Sequence, residues 1–185
     1  MYALWIADRA AALVTYWAMA LSVITGVLYR VQVLGVLARA SKHLHVPASV
    51  LATLGLLAHG VMGLIDAVLV WTGEAPEPAY GMRYLMAGVA VGIGALWVTL
   101  VGVFGFLDAK RFKRPWDPRT VHLFTYGGFV FGSLHAVAIG SDVGAVMRAL
   151  MIGATVLIVY TLLLRMVLER PSRATGRASG PPSGP

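Results

Sequence analysis

Four histidines fall in two pairs at nearly equal spacing within apolar sequence: His45 and His59 are 14 residues apart, His122 and His135 are 13 apart. Neutral imidazole is a standard axial ligand for haem iron, and an ionisable group inside an apolar span is costly enough to imply a purpose. The chemistry on offer is single-electron transfer at b-type haem. On an ideal helix 14 residues span roughly 21 Å, so His45 and His59 cannot share one iron. Each needs a partner from another element. The bland alternative is that each histidine sits at a helix end or bonds a neighbouring carbonyl as interhelical glue.

The elements that must position these residues are membrane spans. Hydrophobic residues make up 58% of the chain and charged ones 12%, with a mean hydropathy of +0.77, far from an ordinary soluble domain. Five runs reach the roughly 20 residues needed to cross a bilayer: Ala10–Tyr29, Ala48–Trp71, Tyr84–Leu107, Thr120–Gly140 and Val146–Leu168. The expected fold is an all-α integral membrane bundle of five transmembrane helices, with haems between the second and fourth. The first run has no basic region ahead of it and no convincing cleavage site behind it, and so is expected to be retained. With no cysteine, disulfides, iron–sulfur clusters and covalent c-type haem are excluded.

The net charge of +7 is a topology signal and not a nucleic-acid signature. Arg30, Arg39 and Lys42 follow the first span, Lys110, Arg111, Lys113, Arg114 and Arg119 follow the third, and Arg170, Arg173 and Arg177 follow the fifth. Glu74, Glu77 and Asp142 lie at the opposite ends, with Asp8 and Arg9 in an N-terminal stub. By the positive-inside tendency the N-terminus is outside and the C-terminus cytoplasmic, as expected for a bacterial inner-membrane protein. Val31–Ala38 reads as an interfacial helix, Thr72–Gly81 as an external turn and Lys110–Arg119 as a cytoplasmic loop. Trp71 and Trp116 mark membrane–water boundaries. Residues 1–170 form one haem domain, and 171–185 read as a disordered cytoplasmic tail.

Under this topology the second and fourth spans run in the same direction, so His45 pairs with His122 near the cytoplasm and His59 with His135 nearer the outside. Fourteen residues return His59 to within roughly 40° of the azimuth of His45, whereas thirteen leave His135 roughly 140° from His122. The fourth span must be distorted, and Gly127–Gly128 is the expected bend. Gly128 and Gly132, lying between the two ligands, are candidates for close approach of a flat macrocycle. Gly88, Gly92 and Gly94 in the third span are expected to serve helix packing. Arg39 is a candidate partner for carboxylates of the inner haem. Asp66, seven residues past His59, is the acid expected inside a span, as proton relay or polar partner. Ser49 is expected to bond back to its own helix, the methionines to pack, and His43 to be solvated or near haem propionates.

The segments HLHVPASVLATLGLLAHG (residues 43–60) and VHLFTYGGFVFGSLHAV (residues 121–137) resemble the two haem-binding helices of the ferric reductase-like transmembrane domain family. The resemblance covers roughly Ala10 to Leu168. It implies two b haems, with His45, His59, His122 and His135 as the four axial ligands. Family members with a flavin and nicotinamide domain continue beyond the membrane part, and six-helix relatives have a further span. Here no glycine-rich nucleotide fingerprint follows a strand. The expected role is that of an electron-transfer component. It would carry electrons from a cytoplasmic flavin reductase or quinol to an acceptor outside, such as a periplasmic redox protein. Two alternatives stand beside it: a haem-containing membrane anchor for a partner redox protein, and a haem-free multispan scaffold. No residue stands out as a general acid, base or nucleophile.

Overall fold

Within hydrocarbon every backbone N–H and C=O must be satisfied inside the segment, so apolar runs of this length fold as helices. A computed structural model describes residues 2–30, 35–113, 115–140 and 144–168. They form α1 (Tyr2–Arg30), α2 (Val36–Trp71), α3 (Met82–Phe112), α4 (Pro118–His122), α5 (Phe124–Ile139) and α6 (Ala145–Leu168). With α4 and α5 taken together, five helical segments are long and apolar enough to cross a membrane. The sequence expectations for Arg114, Asp142, residues 31–34 and the 171–185 tail lie outside the described residues, as do those for Arg170, Arg173 and Arg177.

Two helices begin earlier than hydropathy indicated. α1 starts at Tyr2, not Ala10, which brings Asp8 and Arg9 into the helix. α2 starts at Val36, so the end of the expected interfacial segment, with Arg39, Lys42 and His43, is a continuation of the second span. Its 36 residues correspond to about 54 Å, well beyond the roughly 30 Å hydrocarbon core. Pro47 lies inside α2 without ending it. Having no N–H, Pro47 cannot complete the usual bond to the carbonyl four residues back.

The loops close as turns of ordinary chemistry. After α2, the N–H groups of Glu74 and Ala75 donate to the Leu69 carbonyl at 2.8 and 2.9 Å, and Glu77 Oε1 accepts from the Met82 N–H at 2.6 Å, capping α3. Gly81, with φ of 86°, makes the turn into α3. Asp117 caps α4 through the N–H groups of Arg119 and Thr120. These bonds, the Arg119 N–H foremost, hold its carboxyl below the ordinary value.

The fourth span is interrupted, at a different place from the one expected. α4 ends at His122 and α5 starts at Phe124, while the helix runs unbroken through Gly127 and Gly128. Around Leu123 the bonding shortens: Leu123 N–H reaches Thr120 O at 3.1 Å, and Tyr126 N–H reaches Leu123 O at 3.0 Å. Tyr126 N–H is thereby diverted from the His122 carbonyl, which accepts from Thr125 Oγ1 at 2.7 Å instead. A threonine hydroxyl thus completes the interruption that the glycine pair was expected to supply.

α1 is the most buried span. Its Tyr16, Met19 and Val23 form the core with Ala52 of α2, Phe129 of α5, and Met151 and Ile158 of α6. The Tyr16 hydroxyl donates to the Met151 carbonyl at 2.6 Å, which satisfies a phenol buried in this core. α1 packs along α2, and α3 packs along α4 and α5. Gly88 and Gly128 allow the second of these contacts: a Cβ on Gly88 would meet Ile139 at 2.6 Å, and one on Gly128 would collide with Thr99. The absent side chain of Gly128 therefore serves close packing of α5 on α3. Gly94 has nothing within 4 Å, so its expected packing role is not seen. No Cα of α2 comes within 8 Å of one in α5. The two helices that carry His45, His59 and His135 stand apart, and their rings project between them.

Candidate functional site

The structure brings the four histidines together in two layers. The ring centroids of His45 and His122 are 6.1 Å apart with planes at 89°, and those of His59 and His135 are 5.9 Å apart with planes at 65°. The interruption at Leu123 allows this, because it re-phases His122 relative to His135 where an ideal helix would point them roughly 140° apart. The layers are separated by roughly 21 Å along α2.

Each ring is held from behind. His45 Nδ1 donates to the Ser22 carbonyl of α1 at 2.9 Å, and His135 Nδ1 donates to the Gly88 carbonyl of α3 at 2.8 Å. Both use the same device, a glycine four residues after the accepting carbonyl. Gly26 and Gly92 lie under the imidazoles, where a Cβ would be 3.1 Å from His45 Cε1 and 2.9 Å from His135 Cε1. In a helix the residue four positions on bonds the same carbonyl, and only a bare Cα there lets a ring reach it as well. His59 differs: its Nδ1 bonds a carboxylate, Asp8 Oδ1 of α1, at 2.7 Å. His122 lies among aromatic rings, 5.0 Å from Phe106 and 6.4 Å from Tyr126. With Nδ1 engaged, Nε2 of His45, His59 and His135 is the nitrogen left for a partner.

A family model described as "Domain of unknown function (DUF8596)" matches residues 3–142. The chain belongs to that family. Neither a curated protein nor a solved structure matches it. The DUF8596 segment takes in α1 to α5, and hence all four histidines together with Asp8, Ser22, Gly26, Gly88 and Gly92. α6, which contributes Met151 and Ile158 to the core, lies beyond the match.

Within the DUF8596 segment the other expected site residues fall unequally. A Cβ on Gly132 would meet nothing within 4 Å, which leaves that side of α5 open between the layers. Arg39 is exposed, and six residues before His45 it is about 120° round the helix, away from the face that carries the ring. Ser49 bonds back to the His45 carbonyl at 2.7 Å, as expected, and also pairs with Ser22 Oγ at 2.7 Å. His43 is exposed on the extension of α2, and Asp66 is half-buried near its far end. The acid at the site is instead Asp8, 4% exposed, which the sequence reading places in an N-terminal stub outside the first span. Its position seven residues into α1, directly before the apolar run that starts at Ala10, was the available signal. Gly26 was also missed, and Gly92 was assigned to packing alone. Among the described residues no three His, Cys, Asp or Glu side chains converge as in a protein-only metal cage; the site offers two nitrogens per layer.

Proposed function

We propose that the chain is a transmembrane diheme b-type cytochrome, with His45 and His122 as one axial pair and His59 and His135 as the other. The observation that carries this reading is the ring separation. Two imidazoles bound to one metal at about 2.0 Å each would have centroids about 6.3 Å apart. A direct hydrogen bond of about 2.9 Å between ring nitrogens would bring them to about 5.2 Å. The separations of 6.1 and 5.9 Å lie closer to the first value in both layers. Anchored Nδ1 atoms also suit ligands, whose tautomer and orientation are set from behind. A group held between the rings would need α2 and α5 to stand apart, and no Cα of one lies within 8 Å of a Cα of the other.

When bound, haem supplies a reversible one-electron couple tuned by its ligands and burial. The chain does the rest. α2 and α4–α5 present the nitrogens, and α1 and α3 fix the rings so that they need little rearrangement as charge changes. The apolar spans exclude water. The resemblance to ferric reductase-like domains supports the same reading, with a cytoplasmic flavin reductase or quinol as donor and an acceptor on the outer face. The basic residues around Arg39, Lys42, Lys110 and Arg111 provide a surface for an acidic donor.

The test is absorbance of protein purified after expression with haem supplied. The expected result is two low-spin haem b per chain in the haemochrome assay, with a reduced-minus-oxidised spectrum of bis-histidine type. Protein that folds as a helical bundle yet carries no haem overturns the reading and leaves the scaffold alternative.

A further inference from the structure

The two layers are built differently in one respect. His45 and His135 give their Nδ1 protons to neutral carbonyls, Ser22 O and Gly88 O, whereas His59 gives its proton to the carboxylate of Asp8. Asp8 is 4% exposed on a membrane-spanning helix, where an acid is expensive unless paired. Its 2.7 Å contact with His59 is a charge-assisted geometry. Gly63 of α2 lies beside the pair: a Cβ there would be in ordinary contact, 3.6 Å from Asp8 Oδ1 and 3.9 Å from His59 Cε1. Arg9, next in sequence, stacks on Trp5 at 5.5 Å.

We propose that Asp8 is a positioning residue that acts through His59 to make the His59–His135 centre the lower-potential of the two. This rests on the diheme reading above. A carboxylate accepting the Nδ1 proton draws it away from the ring and raises electron density at Nε2, which makes the imidazole a more basic ligand. A more basic axial ligand stabilises ferric over ferrous iron, and an adjacent negative charge acts in the same direction. A neutral carbonyl polarises the ring less, so the His45–His122 centre lacks this effect. The consequence is an asymmetric wire whose stronger reductant sits at the Asp8 end, suited to reducing an acceptor there.

The experiment is a potentiometric titration of the full chain in detergent, monitored by the haem bands, for wild type and Asp8→Asn. Asparagine keeps the shape and removes the charge. The expected result is retention of two haems, with the lower midpoint raised by a tenfold or greater change in the reduction equilibrium, about 59 mV for one electron, and the upper one unmoved. Two haems with unchanged midpoints overturn the proposal and leave the diheme reading intact. Wild type without haem overturns that reading itself. If Asp8→Asn loses a haem, His45→Ala and His59→Ala decide, each retaining a single centre. A lower midpoint in His45→Ala than in His59→Ala upholds the assignment, and the reverse order overturns it.

Discussion

If the chain is the diheme cytochrome proposed above, purified His59→Ala protein is expected to keep about half of the wild-type haem, and His45→Ala the complementary half, because each variant would strip one layer of a ligand nitrogen while the other layer keeps both. The double variant is expected to bind none. Losses should be this clean because the layers share no ligand and lie roughly 21 Å apart along α2. Neither ring is part of the principal core, which is built from Tyr16, Met19, Phe129, Met151 and their neighbours, so the helices should persist in each variant. The check is haem per chain by haemochrome assay, with far-ultraviolet circular dichroism to show that helix content is held. Passage of electrons across reconstituted vesicles should stop in either single variant. Retention of both haems in His59→Ala would refute the ligand set.

The second large effect comes from a residue with no polar atom in its side chain. Gly92→Val is expected to empty the His59–His135 layer without touching His59 or His135. A Cβ at residue 92 would already stand 2.9 Å from Cε1 and 3.1 Å from Nδ1 of His135, and valine adds two methyl groups beyond it. The ring cannot retreat without surrendering its 2.8 Å bond to the Gly88 carbonyl. Overpacking of this kind costs about 1–3 kcal/mol, and the lost hydrogen bond adds about 1 kcal/mol. The sum of roughly 2–4 kcal/mol corresponds to about 30- to 1,000-fold weaker retention of that haem. Gly94→Val, two residues along the same helix and facing nothing within 4 Å, is the control and should keep both haems. Stepwise haem transfer to apomyoglobin distinguishes the two variants.

Hydropathy located all five spans, because apolar length alone decides that a segment becomes a helix in lipid. It misplaced two helix starts for one physical reason. Asp8 and Arg9 in α1, and Arg39, Lys42 and His43 in α2, lower any hydropathy window, yet a helix can carry such residues at its ends or, as with Asp8 and His59, pair them across a contact. The pairing of His45 with His122 and of His59 with His135 followed from span direction and is the pairing the rings adopt. The need for a distortion in the fourth span followed from angular arithmetic, but its position did not. Gly127–Gly128 looked like the weak point by composition, whereas Gly128 is held straight by packing on Thr99 and the break falls where Thr125 can answer the His122 carbonyl. Asp8, Gly26 and Gly92 were illegible because their roles exist only between helices. A glycine under an imidazole looks the same in one dimension as a glycine under an isoleucine.

The separation of α2 from α5 has a consequence for how the protein is assembled. Each histidine pair draws one ring from α2 and one from the α4–α5 segment, which belong to two halves, α1 with α2 and α3 with α4–α5, that are joined by the α2–α3 contact and by the core around Tyr16 and Phe129. A ligand held by both rings is a strap across the seam between those halves, and its binding energy becomes folding energy. Two straps at different depths resist both sliding and splaying. A chain without such a ligand would keep the core around Tyr16, Phe129 and Met151 but lose this bracing of α2 against the α4–α5 segment.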